Sequence, residues 1–452
     1  MFKVKNKIII VDDRQDELDT LSRAFLDNGI GCRPLLYDNS YFEPLSNIRI
    51  AFFDLNIGEK KVDDSGKTPE EVEKLNSGVY NDLAVAINQY IAKDNGPFAL
   101  IFWTKNKKIV DGFIKYMQNS ERGFSESPFP IVIDCIDKDE FINANNENNL
   151  SQKLIEVLNL EEIKFLFNFE TQANEAAEKT IDKLYKIIPK DGKWGENEVL
   201  FDNLGKILSK IAASTLGFDY SKENPNKAVY EGLLPLLNNE LINSDSEVDW
   251  SRILTPLFSA ASFKEIVSPD NSIQRKVNSI FHLETYAGEK DVRGNVIEID
   301  KTDLEILQSF NIGDVTLWFN KLLPFNRDKT ALKRTIRNSA KLIAIELSAA
   351  CDFSNKKERI NKYVLGFMIP CINVKEDINQ EQRIESSYHL GGCDFNLEDE
   401  NFQIWLNLNF VFGVRSDDPR LGQSLFIMKK EIMDMLGNKY ASHVSRIGIT
   451  SF

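Results

Sequence analysis

The chain has 452 residues, 42% of them hydrophobic and 27% charged, a composition of folded, soluble chains rather than disordered or membrane-embedded ones. Its length calls for two or three hydrophobic cores rather than one. Fifty-five basic residues against 69 acidic ones leave a formal charge of −14, which repels phosphate backbones and argues against nucleic acid as a general partner.

No apolar run approaches the ~20 residues that span a bilayer, so no membrane partner is expected. The "IIIV" that follows Lys3, Lys5 and Lys7 is too short for an export signal. Five scattered cysteines, Cys32, Cys135, Cys351, Cys371 and Cys393, never form a CxxC pair and are odd in number. They read as thiols of a reducing, cytoplasmic location.

Along the chain, Lys7 to Val11 is continuously apolar and β-branched, as in a parallel strand buried on both faces. Leu18, Leu21 and Phe25 then recur at helical spacing and Gly29 supplies a stop. A weak strand is expected near "CRPLLYD" (32–38). Stronger ones are "IRIAFFD" ending in Asp54, "FALIFWT" ending in Thr104 and "PIVIDCIDK" ending in Lys138. Between them, Thr68-Pro69-Glu70-Glu71 starts a helix whose apolar stripe is Val72, Leu75, Val79, Leu83 and Tyr90. "KNKKIVDGFIKYMQ" (105–118) reads as a second amphipathic helix. Strands alternating with helices imply a doubly wound α/β sheet.

From Leu150 to Pro189 the pattern is helical, with Ala173, Ala177, Ile181, Leu184 and Ile188 at three-to-four spacing. One connecting helix, able to serve as a homodimer seam, and two ordinary helices packed on the core both fit this pattern. Residues 190–340 read as mostly helical. In the remainder, 341–452, "KLIAIELSAAC", "KYVLGFMIPC" and "FQIWLNLNFVFGV" read as strands and "LFIMKKEIMDML" as a closing helix, giving an α+β unit.

In an open parallel sheet, ligands bind beyond the carboxyl ends of the strands. The residues ending these runs are Asp12 and Asp13, then Asp54, Thr104 and Lys138. Crowded carboxylates repel one another unless a cation is present, and hard oxygen ligands suit Mg²⁺. The plainer reading of the "VDD" aspartates is a solvated strand end.

The order "VDD", lone Asp, Thr, Lys after successive apolar runs resembles the receiver domain of two-component response regulators, over about residues 5–160. The resemblance implies a flavodoxin-like fold for residues 1–149, followed by the connecting helix 150–189 and the two later segments. It further implies that Asp12, Asp13, Asp54 and the backbone carbonyl of Asn56 hold Mg²⁺, and that Asp54 accepts the phosphoryl group. Thr104 would be the switch hydroxyl and Lys138 would pair with the phosphoryl. Three features depart from the family pattern: a long insert, "EKKVDDSGKTPEEVEKLNS" (59–77), Asp139 after Lys138 where a proline is usual, and Cys135 where an aromatic is common. They bear on the switching motion more than on phosphorylation.

Elsewhere the signals are thinner. Zinc on Cys351, His389 and Cys393, and a metal-dependent nuclease built on Glu346, Asp352, Lys356 and Lys357, compete with readings as core cysteines and surface ion pairs. Lys333, Arg337 and Lys341 would share one helical face, which is most simply solvated surface. The blocks "YASHVSRIGITSF" and "IELSAACDFSNKK" faintly resemble receiver-containing proteins of bacterial conflict and antiphage systems, which implies a histidine-kinase-type or GHKL-ATPase partner. The expected function is a cytoplasmic signalling protein that accepts phosphate on Asp54 and controls a carboxyl-terminal output by assembly or partner binding. The alternatives are a pseudo-receiver regulating an enzyme such as a nuclease, or a non-catalytic interaction scaffold.

Overall fold

The computed structural model describes residues 7–58, 60–63, 65, 68–104, 107–119, 123–124, 126–138, 141, 147–158, 160–188, 197–243, 254–255, 270–285, 288–348 and 360–445. The chain divides into two compact units, Met1–Asp182 with Asn238–Pro256, and Lys183–Leu237 with Leu257–Phe452.

The first unit is built on strands β1 (Ile8–Asp12), β2 (Arg33–Leu36), β3 (Ile50–Phe53), β4 (Ala99–Thr104) and β5 (Val132–Asp137). All are parallel, in the order β2-β1-β3-β4-β5. This is the flavodoxin-like order, whose switch point lies between β1 and β3. The weak "CRPLLYD" segment supplies β2 at the sheet edge, where its side chains stay mostly exposed. That edge position explains its poor hydrophobic signature.

Alternation assigns the strand residues to two cores. Ile9, Val11, Ala51, Phe53, Leu100 and Phe102 pack under α2 (Pro69–Tyr90) and α3 (Lys107–Gln118). Ile8, Ile10, Ile50, Phe52, Ile101 and Trp103 pack under α1 (Gln15–Asp27) and the helix Glu147–Leu158. Both faces are covered, so the strands read as unbroken apolar runs. In α2, Val79, Leu83 and Tyr90 are buried as their spacing predicts, whereas Leu75, in the first turns, is half exposed.

The pattern from Leu150 to Pro189 forms two helices, Glu147–Leu158 and Glu161–Ile187, rather than one. The first docks on the sheet through Leu150, Leu154 and Val157. The second is tied to the unit by Glu170, whose carboxylate takes Arg49 Nε at 2.9 Å and Nη2 at 2.6 Å, and Lys7 Nζ at 2.5 Å.

Segment 190–340 is not helical throughout. After the helices Asn197–Leu216, Phe218–Glu223, Pro225–Ile242 and Asn271–His282 come strands β6 (Leu283–Glu284) and β7 (Asn295–Ile299). They join β8 (Lys341–Glu346), β9 (Asn361–Pro370), β10 (Ser387–His389), β11 (Phe395–Leu397), β12 (Glu400–Val414) and β13 (Ser424–Met428) in one antiparallel sheet. Leu342, Ala344, Leu365, Phe367 and Trp405 face the helices Leu304–Ser309, Val315–Leu322 and Thr330–Ser339. Ile343, Ile345, Val364, Ile404 and Leu406 face the closing helix Lys430–Val444.

Two expectations are corrected here. "LFIM" is strand β13, and the closing helix begins only at Lys430, because the strand pairs with β7 and β6 while Phe426 and Met428 fill the core under that helix. Lys341 opens β8 rather than extending the helix of Lys333 and Arg337, and its ammonium lies 3.8 Å from Glu298. The helix stops at Ser339, since Ala340 turns extended.

Candidate metal and phosphoacceptor site

The site lies at the carboxyl ends of β1, β3, β4 and β5, where the parallel register brings their last residues to one edge. Val11 pairs with Phe53 and Phe53 with Phe102, so Asp12, Asp54 and Thr104 fall in adjacent rows. Thr104 pairs with Asp137, and Lys138 follows. Backbone bonds fix these ends: Asp54 N–H donates to Val11 O at 3.0 Å and Lys138 N–H to Thr104 O at 3.2 Å.

Carboxylate oxygens of Asp12, Asp13 and Asp54 all lie within 4.8 Å of one another, and among the described residues no other such metal-ligating group of His, Cys, Asp and Glu occurs. Asp12 and Asp54 are buried, and Asp13 is partly exposed. Lys138, also buried, sets its Nζ 3.1 Å from Asp12 Oδ2 and 3.1 Å from Asp54 Oδ2, and bonds Glu17 Oε2 as well. Glu17 is itself buried, and its other oxygen takes Arg14 Nη1 at 2.7 Å. Arg14 N–H donates to Asp12 Oδ1 at 2.9 Å. Lys61, from the insert, brings its ammonium to 3.9 Å from Asp13.

Four carboxylates (Asp12, Asp13, Glu17, Asp54) face three cations (Arg14, Lys61, Lys138), leaving one negative charge when all are ionised. The electrostatics carry that excess. Burial, followed by the neighbouring Asp54 charge, pushes the Asp12 carboxyl up to about 7 against the pull of Lys138. Burial likewise raises Asp54, against Lys138 and the Asn56 N–H. For Lys138, burial works against the ammonium, yet Asp54, Asp12 and Glu17 together hold its pKa above the usual lysine value. Carboxyls raised in this way favour a proton or an added cation.

Among the described residues, Asp54 Oδ1 is buried and has no hydrogen-bond partner, which leaves a hard oxygen unsatisfied in the group. That donor set fits a divalent hard cation, so the Asp12/Asp13/Asp54 group could hold a metal ion. Asn56 stands in the turn after Asp54, its side-chain oxygen accepting from Val62 N–H of the insert at 3.2 Å. Thr104 is fully buried at the end of β4.

Sequence reasoning missed Glu17. Its signal was present: Glu17, Leu21 and Ala24 recur at i, i+4 and i+7 on the buried face of α1, so an acid stood in an apolar stripe. Of the zinc and nuclease candidates, only His389, Cys393 and Glu346 lie among the described residues. His389 is stacked on Trp405, its cross-strand neighbour, with ring centroids 4.8 Å apart. Glu346 is buried and accepts from Ser348 N–H. Cys351, Asp352, Lys356, Lys357 and Asp139 lie outside the described residues. No helix among the described residues is long and apolar enough to cross a membrane.

The first unit is thus an all-parallel five-stranded sheet with a buried aspartate cluster at its carboxyl edge, an arrangement consistent with a receiver-like fold. Comparison of the chain with known protein families, curated proteins and solved structures finds no match.

Proposed function

We propose that the first unit is a receiver-like phosphoacceptor that takes a phosphoryl group on Asp54 in the presence of Mg²⁺ and signals to an output carried by the rest of the chain. The observation that carries this reading is the meeting of Asp12, Asp13 and Asp54 with Lys138 at the carboxyl edge of a β2-β1-β3-β4-β5 sheet. Bound Mg²⁺ would supply charge neutralisation for the incoming phosphoryl group. Asp12, Asp13, Asp54 and the Asn56 carbonyl are its proposed protein ligands.

An Asp54 carboxylate oxygen attacks phosphorus, the bond from phosphorus to the donor's nitrogen or oxygen breaks, and the leaving group keeps that electron pair. An acyl phosphate results. Lys138 balances charge on the phosphoryl oxygens, since it is the cation that already touches Asp54. Positioning and neutralisation suffice for this chemistry, so no separate general base is required. Thr104, beside Lys138 in the sheet register, is the proposed hydroxyl partner of the phosphoryl group. A histidine-kinase-type or GHKL-ATPase protein is the proposed donor. Transmission would begin at α1, which carries Glu17 and packs with the helix Glu147–Leu158 in one core.

The test is binding of beryllofluoride with Mg²⁺, and labelling by a small acyl-phosphate donor. The wild type should bind and be labelled, and Asp54→Ala should do neither. Asp12→Ala and Asp13→Ala should retain the fold by circular dichroism but lose Mg²⁺ binding and labelling. A wild type indifferent to both reagents would remove the proposal and leave a charge-paired scaffold. Labelling that persists in Asp54→Ala would move the acceptor elsewhere.

A further inference from the structure

We infer that Glu17 is a positioning residue for Lys138, one that holds the ammonium in the resting site and from which a phosphoryl group on Asp54 must draw it. This rests on the reading of Asp54 as phosphoacceptor. An ammonium has three N–H donors, and Lys138 has three carboxylates in contact, Asp12, Asp54 and Glu17. Each donor has its acceptor. A phosphoryl group on Asp54 places its oxygens farther from the Asp54 carboxyl carbon than Oδ2 lies, so Lys138 has to move to follow them. At least one existing contact is then lost.

The three carboxylates are not equivalent in what they can give up. Asp54 becomes the acyl phosphate. Asp12 is a member of the metal-ligating group and keeps only the Arg14 backbone N–H on Oδ1. Glu17 stands outside that group, and its second oxygen is bonded to a full cation, Arg14 Nη1, at 2.7 Å. It is the carboxylate that remains charge-paired when Lys138 leaves, and a buried carboxylate left unpaired would be costly. Arg14 is more than half exposed and also pairs with Asp16 at 2.7 Å. Glu17 therefore sets how tightly the resting site keeps Lys138, and Arg14 sets how easily Glu17 releases it.

The two residues give opposite expectations. Glu17→Gln removes the resting competitor for Lys138 and should tighten beryllofluoride binding at saturating Mg²⁺ by about ten-fold, the scale of one hydrogen bond to a charged group. Arg14→Ala leaves Glu17 with Lys138 as its sole cation and should weaken the same binding by about two- to three-fold, the scale of an exposed ion pair. A merely structural role for Glu17 would weaken binding in both variants, so the sign decides.

In metal-free protein, a double-mutant cycle of Glu17→Gln with Lys138→Met in urea unfolding should show that the two positions are coupled. Additive effects there overturn the inference. If the wild type binds no beryllofluoride, the proposed function falls and this inference with it. If the wild type binds and a folded Glu17→Gln binds no better, the inference alone falls. Should Glu17→Gln not fold, Arg14→Ala decides: weaker binding supports the inference, and unchanged or tighter binding overturns it.

Discussion

Asp12 and Asp13 are adjacent in the chain yet live in unlike surroundings, because Asp12 closes strand β1 inside the sheet and Asp13 has already left it. Their positions, with Asp54, Thr104 and Lys138, were legible in sequence because each ends an apolar run. Glu17 was legible only as an acid in the apolar stripe of α1 and not by its role, because its partner Lys138 lies 121 residues away and only the fold brings them together. His389 makes the same point in the second unit: its ring stacks on Trp405 of the neighbouring strand, and Arg383 lies over the same indole at 5.0 Å. Burial disfavours the imidazolium and lowers the His389 pKa, with Asp394 opposing. An unfolded chain takes up a proton at His389 near pH 6.5 while the folded one resists, so the contribution of His389 to stability is present above that pH and lost as pH falls through the folded value. In thermal melts, the stability of wild type relative to His389→Phe should therefore decline from pH 7.5 to 5. A constant difference across that range would contradict it.

At the scale of elements, local chemistry and tertiary constraint divide the credit. Helix α2 starts where its sequence says, with Pro69 in its first turn and a reciprocal cap in which Thr68 Oγ1 accepts from Glu71 N–H at 3.2 Å and Glu71 Oε2 accepts from Thr68 N–H at 3.1 Å. Thr68→Ala should cost about 0.5–2 kcal/mol in urea unfolding; no loss would mean the cap is redundant. The insert before it is pinned by Asn76, which exchanges hydrogen bonds with the Asp63 backbone at 2.8 and 2.6 Å. Strand β9 shows the other side. Gly366 pairs between Ile343 and Leu406, and a Cβ there would overlap the Trp405 carbonyl oxygen. Gly366→Ala should destabilise by about 1–3 kcal/mol or more, read from a lowered melting temperature. No sequence pattern marks this glycine, because the close approach belongs to β12, whose register against β9 shifts between Leu406 and Val411.

Over the whole molecule, two different sheets carry four cores, one on each face. Phe52 and Phe102 sit on opposite faces of the parallel sheet and are fully buried, so Phe52→Ala and Phe102→Ala should each cost about 3–5 kcal/mol. A loss under about 1 kcal/mol in either, by urea unfolding, would show that face to be loosely packed. The sequence by itself determined the parallel sheet and its acidic edge, because two-sided burial writes unbroken apolar strands and leaves polar residues only at their ends. It also determined the start of α2, whose cap is local. Only the tertiary structure decided that Leu283–Glu284 and Asn295–Ile299 belong to an antiparallel sheet completed more than a hundred residues later, that "LFIM" is strand and not helix, and that Glu17, paired with Arg14, shares Lys138 with the aspartates. Short apolar runs and single buried charges take their meaning from partners distant in the chain, and no local pattern encodes those partners.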